Sequence, residues 1–205
     1  MPGINRYLEV QSRYTNLNES FEKRAGFELA TASRKPPEPC IFLSHRSTDK
    51  AAVRKVGDYI MSKGIDVYLD VDDANLQRAV ATENHKEITA AIELGIAKST
   101  DLFAFVTQSS MSQKSSSIWV PYEIGFAKRH GNPIAAVKSR DVTQLPSYLV
   151  IVPQILTTRD LNAYLRQILN RQQVAYGSVN LTRSIIAEQL KQASAGIELS
   201  AYLDY

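Results

Sequence analysis

Glu87-Ile88-Thr89-Ala90-Ala91-Ile92-Glu93-Leu94-Gly95-Ile96-Ala97-Lys98-Ser99-Thr100-Asp101-Leu102-Phe103-Ala104-Phe105-Val106 changes its hydrophobic period half-way along. Ile88, Ile92 and Ile96 stand at i, i+4 and i+8, which places them on one face of a helix over 87–97. Leu102 to Val106 is then apolar without a break. A run so short and uniform reads as a strand covered on both faces. A helix leading into a doubly buried strand is the repeating unit of a parallel sheet.

The same alternation extends in both directions. Upstream, Cys40 to Leu43 reads as a strand. Lys50 to Met61 reads as a helix with Val53, Val56 and Ile60 on one face, stopped at Gly64. Ile65 to Leu69 reads as a second strand ending at Asp70, and Val71 to Asn84 as a long charged loop. Downstream, a serine-rich loop leads into a helix over Ser117 to His130, and Gly131-Asn132-Pro133 forms a turn before a strand at Ile134 to Val137. Leu149 to Val152 reads as the fifth strand, with Pro153 arguing for a sheet edge. Asp160 to Gln172 reads as the last core helix, with Leu161, Leu165, Ile168 and Leu169 inward. The expected fold is α/β: a flavodoxin-like five-stranded parallel sheet, order 2-1-3-4-5, with helices on both faces. Residues 1–39 form an N-terminal extension, with loose helical spacing up to the stiff Pro36-Pro37-Glu38-Pro39 linker. Residues 40–173 form the main domain, and 174–205 a C-terminal extension with a helix over Leu181 to Ala193.

Composition removes several function classes. Of the 205 residues 44% are hydrophobic and 22% charged, enough to build a core. The net charge of +3 is spread evenly along the chain, with no basic arm or acidic tail, which argues against nucleic acid or a membrane surface as partner. A single cysteine, Cys40, makes no internal disulfide and fits a reducing compartment. His45, His85 and His130 are scattered and show no zinc-ligand spacing. No apolar run approaches the ~20 residues of a membrane-spanning helix, and Met1-Pro2-Gly3-Ile4-Asn5-Arg6 lacks the apolar stretch of a signal peptide. The expectation is a soluble, cytoplasmic, metal-free protein. Neither a P-loop nor a Gly-x-Gly-x-x-Gly fingerprint occurs, and the paired acids of a phospho-receiver domain are missing after the first strand.

In a doubly wound sheet ligands sit at the carboxyl ends of the strands. That edge carries Ser44-His45-Arg46, then Asp70 to Asp73, then Thr107 to Ser117 with its six serines (Ser109 among them), and finally the start of the helix that follows. Pro121 suits a first helical turn. Trp119 and Glu123, four residues apart, share one face of that helix. Glu123 is either a carboxylate complementing the helix dipole or a group of the site. Trp119 offers a flat face to a ring or packs in the core. Arg46 is a phosphate partner or a solvated cation, and Asp70 either bonds a hydroxyl or caps its loop.

Four stretches together resemble TIR (Toll/interleukin-1 receptor) domains. Ile41-Phe42-Leu43-Ser44-His45-Arg46-Ser47-Thr48-Asp49-Lys50 is similar to their first box, and Gly64 to Asp70 is similar to the strand entering their BB loop. Ile88, Ile92 and Ser99 match the helix before the third strand, and Trp119-x-x-x-Glu123 is similar to the motif of enzymatic bacterial members. The likeness covers about residues 40–173. It departs at Val71 to Gln77, which lacks the usual Arg-Asp-x-x-Pro-Gly. The resemblance implies that Glu123 is the catalytic carboxylate of an NAD glycohydrolase or ADP-ribosyl cyclase. It further implies that Ser44, His45, Arg46, Asp70, Ser109 and Trp119 line the nucleotide pocket. NAD+ is then a substrate and no resident cofactor is needed. The layout resembles the standalone TIR proteins of Thoeris anti-phage defence, which implies a cyclic ADP-ribose-type signal, self-association through TIR surfaces, and a downstream effector reached by the diffusible product. Two other readings stay open: a non-catalytic TIR interaction module, and an N-glycosidase like the nucleoside deoxyribosyltransferases.

Overall fold

The computed structural model describes residues 2–6, 38–69, 85–108, 111 and 119–176, with side-chain surroundings up to residue 171. The rest of both extensions, with its expected helices, lies outside the described residues, as do Asp70 and Ser109. Among the described residues five strands form one sheet: β1 (Cys40–Ser44), β2 (Asp66–Tyr68), β3 (Asp101–Val106), β4 (Ile134–Lys138) and β5 (Gln154–Ile155). Every pairing is parallel and the order is β2-β1-β3-β4-β5, as the alternation predicts. The helices are α1 (Lys50–Ser62), α2 (His85–Ala97), α3 (Trp119–His130) and α4 (Thr158–Tyr176). No helix of the described residues is long and apolar enough to cross a membrane.

The period-2 alternation of the strands divides the core. Ile41, Leu43, Phe103, Phe105 and Val137 face one side, against Val53, Val56 and Ile60 of α1 and Leu161, Leu165 and Ile168 of α4. Phe42, Leu102, Ala104, Val106 and Ala136 face the other, against Ile88, Ile92 and Ile96 of α2 and Val120, Ile124 and Ala127 of α3. Phe103 packs edge-on to Tyr164 with centroids 5.3 Å apart, and Phe42 stacks on Tyr68 at 5.6 Å. Buried Asp101 opens β3 and is paired with Arg171 of α4. Burial pushes its carboxyl up against the opposing pull of that guanidinium.

Three expectations are corrected in detail. The apolar run at 149–152 is not a strand. Leu149 closes a 3-10 turn (Ser147–Leu149) and is buried, while Val150 and Ile151 are 57% and 82% exposed. The edge strand follows Pro153, whose carbonyl accepts from the Ala136 N–H at 2.8 Å. A chain bracketed by Pro146 and Pro153 is punctuated as a turn, however apolar its content. α4 starts earlier than predicted because Thr157 and Asp160 form a reciprocal cap. The Asp160 N–H donates to Thr157 Oγ1 at 3.2 Å, and the Thr157 N–H donates to Asp160 Oδ2 at 3.0 Å. Residues 2–4, within the extension expected to be helical, lie in neither helix nor strand, and Asn5 bridges in parallel to Val67 of the edge strand β2.

Gly95 is where α2 crosses Tyr68. A Cβ there would lie 2.5 Å from the Tyr68 ring, which its stack on Phe42 holds in place. We expect Gly95→Ala to destabilise the fold by about 1–3 kcal/mol in urea titration through overpacking. That outcome reverses the ~1 kcal/mol gain of helix propensity; a more stable variant would contradict the packing. Cys40, fully buried at the amino end of β1, has its thiol pushed up to about 12 by burial. It should ignore a thiol reagent at about pH 8 until the chain is denatured. Its neutral-thiol contribution to stability should fade only as pH rises from 9.0 towards 12.

Candidate active site at the carboxyl edge of the sheet

β1 delivers Ser44, His45 and Arg46 to the carboxyl edge, beside the end of β3. α3 begins on the same edge, and its fifth residue is Glu123. Ser44 and Glu123 are 1% and 7% exposed, and the Ser44 hydroxyl donates a hydrogen bond to Glu123 Oε2. Two residues 79 apart in sequence therefore meet at the strand ends. A buried carboxylate is costly unless hydrogen-bonded, and this contact offsets part of the cost of burying Glu123. Glu123 lies on the inner side of α3 with Val120, Ile124 and Ala127, rather than on the outer surface where a helix-start glutamate merely complements the dipole.

Trp119, the first residue of α3, is half-buried. It packs against the core cluster under that helix and edge-on to Tyr122, with centroids 6.1 Å apart. His45 is half-buried, and its Nδ1 lies 2.8 Å from the Leu43 carbonyl oxygen. A carbonyl only accepts, so Nδ1 carries the proton and donates. Arg46 is half-buried too, and its Nη1 is buried without a hydrogen-bond partner among the described residues. A buried N–H on a cation is among the most expensive groups to leave unsatisfied. An anionic oxygen is its natural complement.

Three groups at this edge carried no signal as site residues. Asp49 stands at the N-cap of α1, where an aspartate usually bonds the helix amides, yet it makes no such cap. It is buried instead and accepts from Thr107 Oγ1 at 3.0 Å, tying the loop after β1 to the end of β3. Thr107, fully buried, directly follows β3 and lay within the stretch predicted for the edge, but no spacing joined it to Asp49. Tyr148 belongs to the turn after β4. Burial raises its phenol, and the positive charge of Arg46 acts in the opposite direction. Pro-Ser-Tyr reads as a surface turn, and nothing local announces that interaction. Among the described residues no group of three His, Cys, Asp or Glu could hold a metal ion.

The arrangement defines a doubly wound α/β domain whose polar side chains gather at the strand ends, around the buried carboxylates of Glu123 and Asp49. A family model described as TIR domain matches residues 41–169, well over half of the 205-residue chain and all but the first residue of the sheet. The chain belongs to the TIR domain family. No curated protein matches it.

Removing the Ser44 hydroxyl takes one donor from a buried carboxylate. Hydrogen bonds to charged groups contribute about 1.5–3 kcal/mol. Ser44→Ala should lose stability in that range by urea denaturation, and an unchanged midpoint would show that Glu123 does not depend on Ser44.

Proposed function

We propose that the chain is a TIR-type NAD-cleaving enzyme, with Glu123 as its catalytic carboxylate. The observation that carries this reading is the Ser44–Glu123 contact: a buried carboxylate, held in one orientation by a strand-end hydroxyl, on the edge where doubly wound sheets bind ligands. The reaction breaks the bond between nicotinamide and ribose. The electron pair of that bond passes to the pyridinium nitrogen, so nicotinamide leaves neutral and no acid is required. The ribose passes through an oxocarbenium-like transition state, as in glycoside cleavage. A fixed carboxylate beside it stabilises the developing positive charge without reorganising.

The Nη1 of Arg46, buried with no hydrogen-bond partner among the described residues, supports a pyrophosphate contact. Ser44, with His45 beside it, lines the ribose side. Asp70 and Ser109 join the pocket in this reading on the strength of the family pattern alone, and Trp119 supplies an aromatic face at the helix start. Water captures the ribosyl cation to give ADP-ribose, or an intramolecular nitrogen captures it to give a cyclic isomer. By the family resemblance alone, this reading takes the cyclase outcome in a Thoeris-like anti-phage role, in which a diffusible product reaches an effector. NAD+ is the substrate, and the reaction needs no resident cofactor. Exposed Tyr148, Val150 and Ile151, in the connection between β4 and β5, favour a second role for this surface in self-association.

The test is incubation of the purified chain with NAD+ and chromatography of nicotinamide and product. Turnover should appear, and Glu123→Gln, which keeps the shape and a hydrogen-bond acceptor but removes the charge, should cut kcat by about 100-fold or more. Full turnover by the variant, or none by the parent at high protein concentration, would contradict the reading.

A further inference from the structure

β2 lies at the edge of the sheet, where a strand leaves a row of unpaired amide and carbonyl groups. Residues 2–6, outside the family match, fill that row. The Gly3 N–H donates to the Met61 carbonyl at 2.6 Å, and the Val67 N–H donates to the Ile4 carbonyl at 2.9 Å. Asp66 takes the strap with both oxygens. Oδ1 accepts the Ile4 N–H at 2.9 Å, and Oδ2 accepts Arg6 Nε at 2.7 Å, with both side chains 15% exposed. Arg6 also donates to the Glu38 carbonyl at 3.1 Å. Gly3 is required for the approach, since a Cβ there would stand 2.1 Å from the Ile65 carbonyl oxygen, a backbone atom with nowhere to go.

Asn5 does something more specific. Its side-chain amide imitates a peptide group: Nδ2 donates to the Leu69 carbonyl at 3.0 Å, and Oδ1 accepts the Leu69 N–H at 3.1 Å. Both main-chain groups of the residue just past β2 are thus held by one side chain. β2 runs in register with β1, and the ladder ends with Phe42 opposite Tyr68, so Leu69 is the first residue past it, on the side where β1 leads into Ser44. The clamp therefore sits on the carboxyl edge, one strand away from the Ser44–Glu123 contact.

We propose that Asn5 is a positioning residue for the site: through Leu69 it sets the carboxyl end of β2, the wall of the pocket next to Ser44. This rests on the reading of that edge as the NAD+ site. The Asn5 side chain acts on Leu69, at the end of the strand beside the one that carries Ser44, so loosening its clamp disturbs substrate binding and leaves the bond-breaking step intact.

The experiment uses the full chain carrying Asn5→Ala, which removes the two bonds, or Gly3→Ala, which drives the strap off sterically. The two act differently, so one remains informative where the other fails to fold. Amide hydrogen exchange and steady-state kinetics on NAD+ are read together. Expected are exchange at Leu69 about tenfold faster or more with Phe103 unchanged, and KM for NAD+ raised about 3- to 10-fold with kcat within about twofold. Unchanged exchange at Leu69 would overturn the clamp. Faster exchange with unchanged KM, or with kcat falling in step with overall stability, would reduce the strap to a structural part. If the parent chain leaves NAD+ intact, the catalytic reading fails, and exchange at Leu69 alone still decides whether Asn5 sets the end of β2.

Discussion

One hydrogen bond, from the Ser44 hydroxyl to the Glu123 carboxylate, links the end of a central strand to the first turns of a helix that follows the next strand in the sheet. The carboxylate is nine-tenths buried and must be compensated locally. Ser44 can contribute to that compensation because β1 and β3 are neighbours, with Ser44 opposite Ala104, and because α3 returns over the face those strands share. The order 2-1-3-4-5 is thus a condition of the site as well as a description of the fold. The Asp49–Thr107 bond repeats the device a few ångströms of chain further on, joining the same two strand ends through a second buried carboxylate.

The chemistry follows from how little is assembled there. The Glu123 carboxylate held by Ser44, strand-end hydroxyls and an arginine whose Nη1 is buried with no hydrogen-bond partner among the described residues suit the proposed reaction, in which the leaving group needs no proton and the transition state is cationic at one end of an anionic substrate. Such a site leaves almost no mark on composition. The nearly even charge balance and the scattered histidines exclude louder chemistries without naming this one.

The fold was legible because each element announced its own period. The helical spacing of Ile88, Ile92 and Ile96 and the unbroken run at 102–106 are local properties, and they survive in α2 and β3. The run at 149–152 misled because Pro153 alone suggests a sheet edge, whereas Pro146 and Pro153 together bracket a turn. Burial was possible for Leu149 but not for Val150 or Ile151. At the site, Ser44 and Glu123 were each visible from their place after a strand or at a helix start, but their contact spans 79 residues and no local pattern encodes it. Asp49 was harder still, since an aspartate before a helix looks like a cap and here turns inward. The strap was illegible for a similar reason. Gly3 and Asn5 carry no periodicity, and their meaning lies entirely in the β2 edge they meet some 60 residues later.

The account stands or falls on what occupies the carboxyl edge. A crystal structure of the Glu123→Gln variant soaked with NAD+ tests this most directly. The account predicts the nicotinamide ribose against residue 123 and Ser44, with the pyrophosphate on Arg46. NAD+ bound elsewhere on the domain, or a carboxyl edge that stays empty at saturating NAD+, would contradict it.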